Sequence, residues 1–162
     1  MQLFETIVIK LSRGLDFLAG IILAATAFLV VANIMGRVLL QQSFLVAHEV
    51  VGFLTAGVIG LALARCALEN GHISVEFLVE KLPKPVQRYI EIAVNLPVFA
   101  FLLFITFNLF NYGWRIAESG EVSPTIQLAF YPFIYLVGLG FFVLSLVNLL
   151  KIIKLIAGGE HQ

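Results

Sequence analysis

Four stretches free of charge divide this chain: Phe17 to Gly36, Val50 to Ala64, Ile92 to Trp114 and Val122 to Leu150. A helix rises ~1.5 Å per residue and needs about 20 apolar residues to cross the ~30 Å hydrocarbon core of a bilayer, so stretches of this kind read as membrane spans. Charged residues make up 12% of the 162 positions and hydrophobic residues 60%, where a soluble globular domain carries roughly 25% charge. The expected fold is an all-α integral membrane protein of four transmembrane helices, a single membrane domain over residues 1–162 with spans near 15–37, 46–67, 87–112 and 126–150. Too little chain lies outside the membrane for a separate catalytic or nucleotide-binding domain. The ten acidic and ten basic residues balance, leaving no electrostatic footprint for nucleic acid. The one cysteine, Cys66, excludes an internal disulfide.

Lys10 and Arg13 precede an apolar run in which Ala25 and Ala27 stand in an A-x-A arrangement, as in a secretory signal peptide. The run continues to Met35, long enough to span, so the first segment is expected to remain as a helix. Before it, Leu3, Phe4, Ile7, Val8 and Leu11 recur at three- and four-residue spacing. They suggest a short amphipathic helix in the membrane interface, or the entrance turn of the first span. Between spans two and three, Val75, Leu78, Val79 and Leu82 form a second apolar stripe, an interfacial helix at about 73–82 ended by Pro83 and Pro85.

Lys10, Arg13, Arg65, Lys81, Lys84, Arg88, Lys151 and Lys154 fall on the side of the termini, and Arg37 and Arg115 opposite. The positive-inside rule then puts both termini, and both amphipathic helices, on the cytoplasmic side.

Charges crowd the span ends. The uncharged part of span two is short for the hydrocarbon core, so Glu49 and Arg65 must enter the interface. Arg37, closing span one, comes up on the same side as Glu49. An Arg37–Glu49 ion pair bracing the outer ends of spans one and two is expected, with Asn33 one turn deeper as a hydrogen-bond partner. Arg65 and Glu69 have the spacing of an ordinary helix pair. His48-Glu49 opens like the H-E-x-x-H zinc motif, but position 52 is Gly, so no zinc site follows. His48, His72 and His161 all lie outside the mid-membrane stretches, against haem ligation and any other cofactor. Thr26, Thr55, Asn95, Thr106, Asn108 and Ser145 are the mid-span polar residues; they can hydrogen-bond between helices but cannot shuttle charge.

Gly52, Ala56, Gly60 and Ala64 repeat every four residues along span two, a small-residue face for close helix packing within the chain or against a partner. Pro97 and Pro132 are expected to bend spans three and four. Tyr112, Trp114, Phe130, Tyr131 and Tyr135 gather at the outer ends of those spans as an aromatic belt.

Asn33 and Arg37 closing span one, Glu49 opening span two, Glu69-Asn70-Gly71-His72-Ile73-Ser74-Val75-Glu76 followed by Leu82-Pro83, and Ser123-Pro124-Thr125 with Pro132 ahead of the last apolar run carry a resemblance over most of the chain. In this order the sequence resembles the small membrane subunit, DctQ-like, of tripartite ATP-independent periplasmic (TRAP) transporters. It departs from the family in having Tyr131 and Leu128 where a Trp and a further Pro are frequent. The resemblance implies a non-enzymatic scaffold subunit in a bacterial or archaeal inner membrane. Its partners would be a large elevator-type membrane subunit and a periplasmic substrate-binding protein, in a sodium-driven importer of organic acids. Under that reading the exposed outer segments, Leu40 to His48 and Arg115 to Thr125, are expected to help dock the binding protein through His48, Arg115, Glu118 and Glu121. The rival readings are a self-contained small channel or exporter, which would align polar residues on one span face, and a redox-enzyme membrane anchor, which would carry a bound cofactor.

Overall fold

The computed structural model describes residues 2–40, 45–68, 84–125 and 127–156. Four helices make up nearly all of it: α1 (Gln2–Leu40), α2 (Leu45–Leu68), α3 (Lys84–Ser119) and α4 (Tyr131–Ile156). Each is long and apolar enough to cross a membrane. The expected interfacial helix at 73–82, Glu69 of the Arg65–Glu69 pair and residues 41–44 of the segment Leu40 to His48 lie outside the described residues.

The helices stand in the spatial order α1, α2, α4, α3, with a lesser contact between α1 and α4. Burial follows that order: 44% of the apolar window of α4 and 28% of that of α2 are buried, against 11% for each of α1 and α3. Thus α2 and α4 form the spine and the other two flank it. The core cluster draws Val8, Leu15 and Ala19 from α1, Leu61, Ala64 and Ala67 from α2, Leu102 from α3, and Val143, Leu144, Val147 and Leu150 from α4.

No separate amphipathic helix precedes the first span. Gly14 meets nothing within 4 Å and the helix passes straight through it, giving 39 continuous residues. At 1.5 Å per residue that is about 58 Å, so α1 runs well beyond a ~30 Å core. Its inner third packs against the bundle through Val8, Ser12, Leu15 and Ala19, whereas Ile7 and Leu11, read from the sequence as part of the apolar face, are exposed. The stripe was misplaced because Ser12 is polar yet fully buried.

The inner ends of α1 and α4 are joined by an ion pair between Lys154 and Glu5. Glu5 lies in the first turn of α1 and Lys154 in the last turn of α4, so each charge also complements its own helix dipole. Arg88 of α3 donates to the carbonyl of Ile156, occupying an acceptor that the end of α4 leaves without an intrahelical partner.

Span four begins later than the sequence suggests. The described residues 120–125 and 127–130 lie between α3 and α4, and Pro132 is the second residue of α4, where a missing amide hydrogen costs nothing; it starts the helix and does not bend it. Pro97 is interior to α3, as expected.

Candidate functional site

The end of the bundle away from Gln2 and Ile156 gathers the residues the sequence singles out. α2 starts there, α3 ends there, and the 120–130 crossing lies between α3 and α4. Gly120 terminates α3 in the left-handed region, φ 68°, its N–H donating to the Ile116 carbonyl at 3.1 Å. The chain then folds on itself: Ser123 N–H donates to the Leu128 carbonyl at 2.8 Å, Gln127 N–H to the Ser123 carbonyl at 3.0 Å, and Val122 and Ala129 form an antiparallel bridge. Gln127 takes a positive φ of 53° to close this turn.

Glu49 fastens the crossing to α2. Its carboxylate accepts hydrogen bonds from the hydroxyls of Ser123 and Thr125, and Ser123 is buried. Below it, Phe53 packs edge-on against Phe130, centroids 5.1 Å apart, and stacks on Phe133 at 5.0 Å. Among the described residues, Ser123 and Thr125 supply the hydrogen bonds to Glu49, the Thr125 backbone adding to the two hydroxyls, and the expected pair with Arg37 is not among its contacts. Neutral hydroxyls satisfy the carboxylate without the desolvation that bringing a guanidinium to it requires. Ser123-Pro124-Thr125 stands out in the sequence as a family feature, but no local pattern joins it to a residue more than 70 positions earlier. The arrangement is a tether, with the carboxylate already engaged.

The proposed docking residues share this end. His48 is exposed in the first turn of α2, Arg115 on the last turns of α3, and Glu121 just beyond Gly120. Glu118 is also exposed and accepts a hydrogen bond from Trp114 Nε1 at 2.9 Å, which holds the indole along the helix. Arg115 to Ser119 belong to α3, so part of what reads as loop in the sequence is a rigid helical end.

Below the tether, the small-residue face of α2 is shifted from the expected register. Gly60 and Ala64 are buried, but Gly52 and Ala56 are exposed, and Gly57 joins the seam in their place. A Cβ at Gly57 would sit 3.0 Å from Leu136 Cδ2, and one at Gly60 would sit 2.9 Å from Val137 Cα. The facing residue is Gly140, where a Cβ would lie 3.2 Å from Gly60 Cα and closer still to its carbonyl group. Gly113 of α3 similarly receives the ring of Tyr135, 3.0 Å from a Cβ placed there. The seam therefore packs α2 against α4 within the chain. The successive contacts of Glu49, Phe53, Gly57 and Gly60 with rising positions from Ser123 to Gly140 show that these two helices run parallel.

Four of the mid-span polar side chains bond to their own helix: Thr26 to the Ile22 carbonyl at 2.7 Å, Asn95 to Glu91 at 2.8 Å, Thr106 to Leu102 at 2.8 Å and Ser145 to Phe142 at 2.7 Å. Back-bonding of this kind satisfies the hydroxyl or amide without a neighbour. Asn108 does the same with Phe104 at 2.8 Å while remaining exposed. Among the described residues there is no group of three or more His, Cys, Asp or Glu placed to hold a metal.

Comparison with known proteins gives one family. The family described as tripartite ATP-independent periplasmic transporters, DctQ component, matches residues 26–158, and the chain belongs to it. No curated protein matches the chain.

Proposed function

From membership of the DctQ family, which makes this chain a transporter component and not an enzyme, we propose that it is the fixed small subunit of a sodium-driven TRAP importer of organic acids. In this reading it braces the large elevator-type membrane subunit, sits in the cell's inner membrane with both termini in the cytoplasm, and offers its outer end to the periplasmic binding protein. The observation that carries the proposal is the distribution of burial. Two of the four membrane helices, α1 and α3, are 11% buried over their apolar stretches, which leaves wide apolar faces open to lipid and to a partner subunit. Within the chain, α2 and α4 are held together by close glycine contacts. The uncharged spans supply no group able to pair with an acidic solute or a coupling ion at mid-membrane.

The deciding experiment is co-expression of the tagged chain with the large subunit and binding protein, followed by co-purification and uptake in vesicles. Recovery of the large subunit in stoichiometric amount, with sodium-dependent uptake lost when this chain is omitted, is expected. Full uptake without this chain would refute the scaffold role, and stoichiometric solute binding to the isolated subunit would refute the assignment of transport to its partner.

A further inference from the structure

We propose that one face of α3, made by Phe101, Phe104, Asn108, Tyr112 and Arg115, seats a transmembrane helix of the large subunit, one that presents a hydrogen-bonding group at the depth of Asn108. This rests on the scaffold reading above and specifies where that scaffold is joined. α3 packs principally against α4, through Leu102, Thr106, Gly113 and Ile116, which are buried. On the adjoining face the side chains of α3 wall an open groove of about 520 Å³ running from Phe101 to Arg115.

The groove is apolar except for Asn108 and for Tyr112 and Arg115 at its outer mouth. Asn108 lies six residues before Trp114, about 9 Å of helix below the outer aromatic level and so within the hydrocarbon. One amide hydrogen reaches the Phe104 carbonyl. Among the described residues its carbonyl oxygen and second amide hydrogen have no partner. Acyl chains cannot satisfy them, and an unmet amide in hydrocarbon is costly. A neighbouring helix can, because interhelical hydrogen bonds from Asn are among the forces that join membrane helices.

The opposite flank is different. Between Phe17 and Met35 every exposed residue of α1 is apolar, Phe28 being 77% exposed, which is the surface that lipid itself solvates. The two flanks thus differ in chemistry, and the amide marks α3 as the one made for protein.

The test uses the assembled transporter, with the photocrosslinking residue p-benzoylphenylalanine in place of Phe101 or Phe104, and in place of Phe28 for comparison. Adducts with the large subunit from 101 or 104, and none from 28, are expected. Adducts with lipid alone, adducts with a second copy of this chain, or large-subunit adducts from 28 and not from 101 or 104 would each overturn the proposal. Co-purification with the unsubstituted chain separates the two levels. If the large subunit does not co-purify, the scaffold reading fails and this inference with it; if it co-purifies while 101 and 104 give no adduct, this inference alone fails. Asn108→Leu is expected to weaken association roughly 3- to 20-fold, with Asn108→Gln closer to the native chain; undiminished association of Asn108→Leu would remove the amide from the argument.

Discussion

Replacing Gly140 by alanine places a methyl group against the backbone of Gly60. The new Cβ would stand 3.2 Å from Gly60 Cα and nearer still to its carbonyl carbon and oxygen. These are main-chain atoms in the middle of α2, so no rotamer change relieves the clash and the helices must separate. Overpacking of this kind costs about 1–3 kcal/mol, occasionally more. Gly60→Ala meets the same seam from the other side, against Val137 Cα at 2.9 Å. Gly52 belongs to the same four-residue repeat but has nothing within 4 Å, and alanine there removes the helix penalty of glycine, a gain of about 0.5–1 kcal/mol. The three variants, purified in detergent and followed by loss of the monodisperse peak on heating, should therefore split. Gly140→Ala and Gly60→Ala should melt about 2–12 °C below the native chain, using about 2–4 °C per kcal/mol for a chain of this size, and Gly52→Ala at or above it. A Gly140→Ala protein as stable as the native one, or a Gly52→Ala protein less stable than Gly140→Ala, would refute the parallel α2–α4 seam.

Ser123→Ala combined with Thr125→Ala removes both hydroxyl donors to Glu49 and should loosen the 120–130 crossing, seen as faster cleavage by a Glu-specific protease at Glu121; unchanged cleavage would mean the tether does not hold it. Because Glu49 is held by hydroxyls, Arg37→Ala and Glu49→Ala should act independently in a double-mutant cycle on complex stability, whereas Glu49→Ala and Ser123→Ala should couple; coupling of the first pair would restore the ion pair between α1 and α2. Glu5→Gln should loosen the inner end of α1 and lower thermal stability less at high salt than at low salt, since the pair with Lys154 is partly exposed; a salt-independent loss would show that packing of Val8 and Ser12, and not charge, holds that end. Charge reversal at Arg115, Glu118 and Glu121 should slow uptake at low binding-protein concentration and leave the membrane complex intact; unchanged uptake at every concentration would remove these residues from docking.

The four helices and their approximate limits were legible because hydrophobic runs of span length have few alternatives. What the runs could not convey was order in space. Gly52, Ala56, Gly60 and Ala64 repeat every four residues, and Gly57 falls outside that stripe; the seam is chosen by where Gly140 and Leu136 stand on a helix some 80 positions later. Glu49 illustrates the same limit for charge. The nearest opposite charge in the sequence, Arg37, was the natural partner, yet the folded chain brings Ser123 and Thr125 to it. Ser12 shows the converse: a polar residue outside the stripe of Leu3, Phe4, Ile7, Val8 and Leu11 is fully buried, its hydroxyl without a partner among the described residues. Local pattern predicts which segments enter the membrane, while long-range register decides which of their faces meet.

That register also sorts the consequences of mutation. The spine of α2 and α4 is fixed by contacts too close to admit a methyl group, so changes there act on this chain's own fold. The flanks carry large exposed side chains such as Phe28 and Phe104, so changes to those side chains leave the fold alone and act on whatever covers them, whereas Val8, Leu15 and Ala19 of α1 belong to the core. A chain built this way keeps its shape whatever covers its flanks, since the α2–α4 seam does not depend on them. The tether extends the same logic to this end of the bundle: with Glu49 bound to Ser123 and Thr125, the crossing that carries Glu121 is held to the spine. A binding protein landing there would meet a surface fixed relative to α2 and α4. Loss of the tether should accordingly impair productive docking before it impairs assembly, whereas loss of Asn108 should do the reverse.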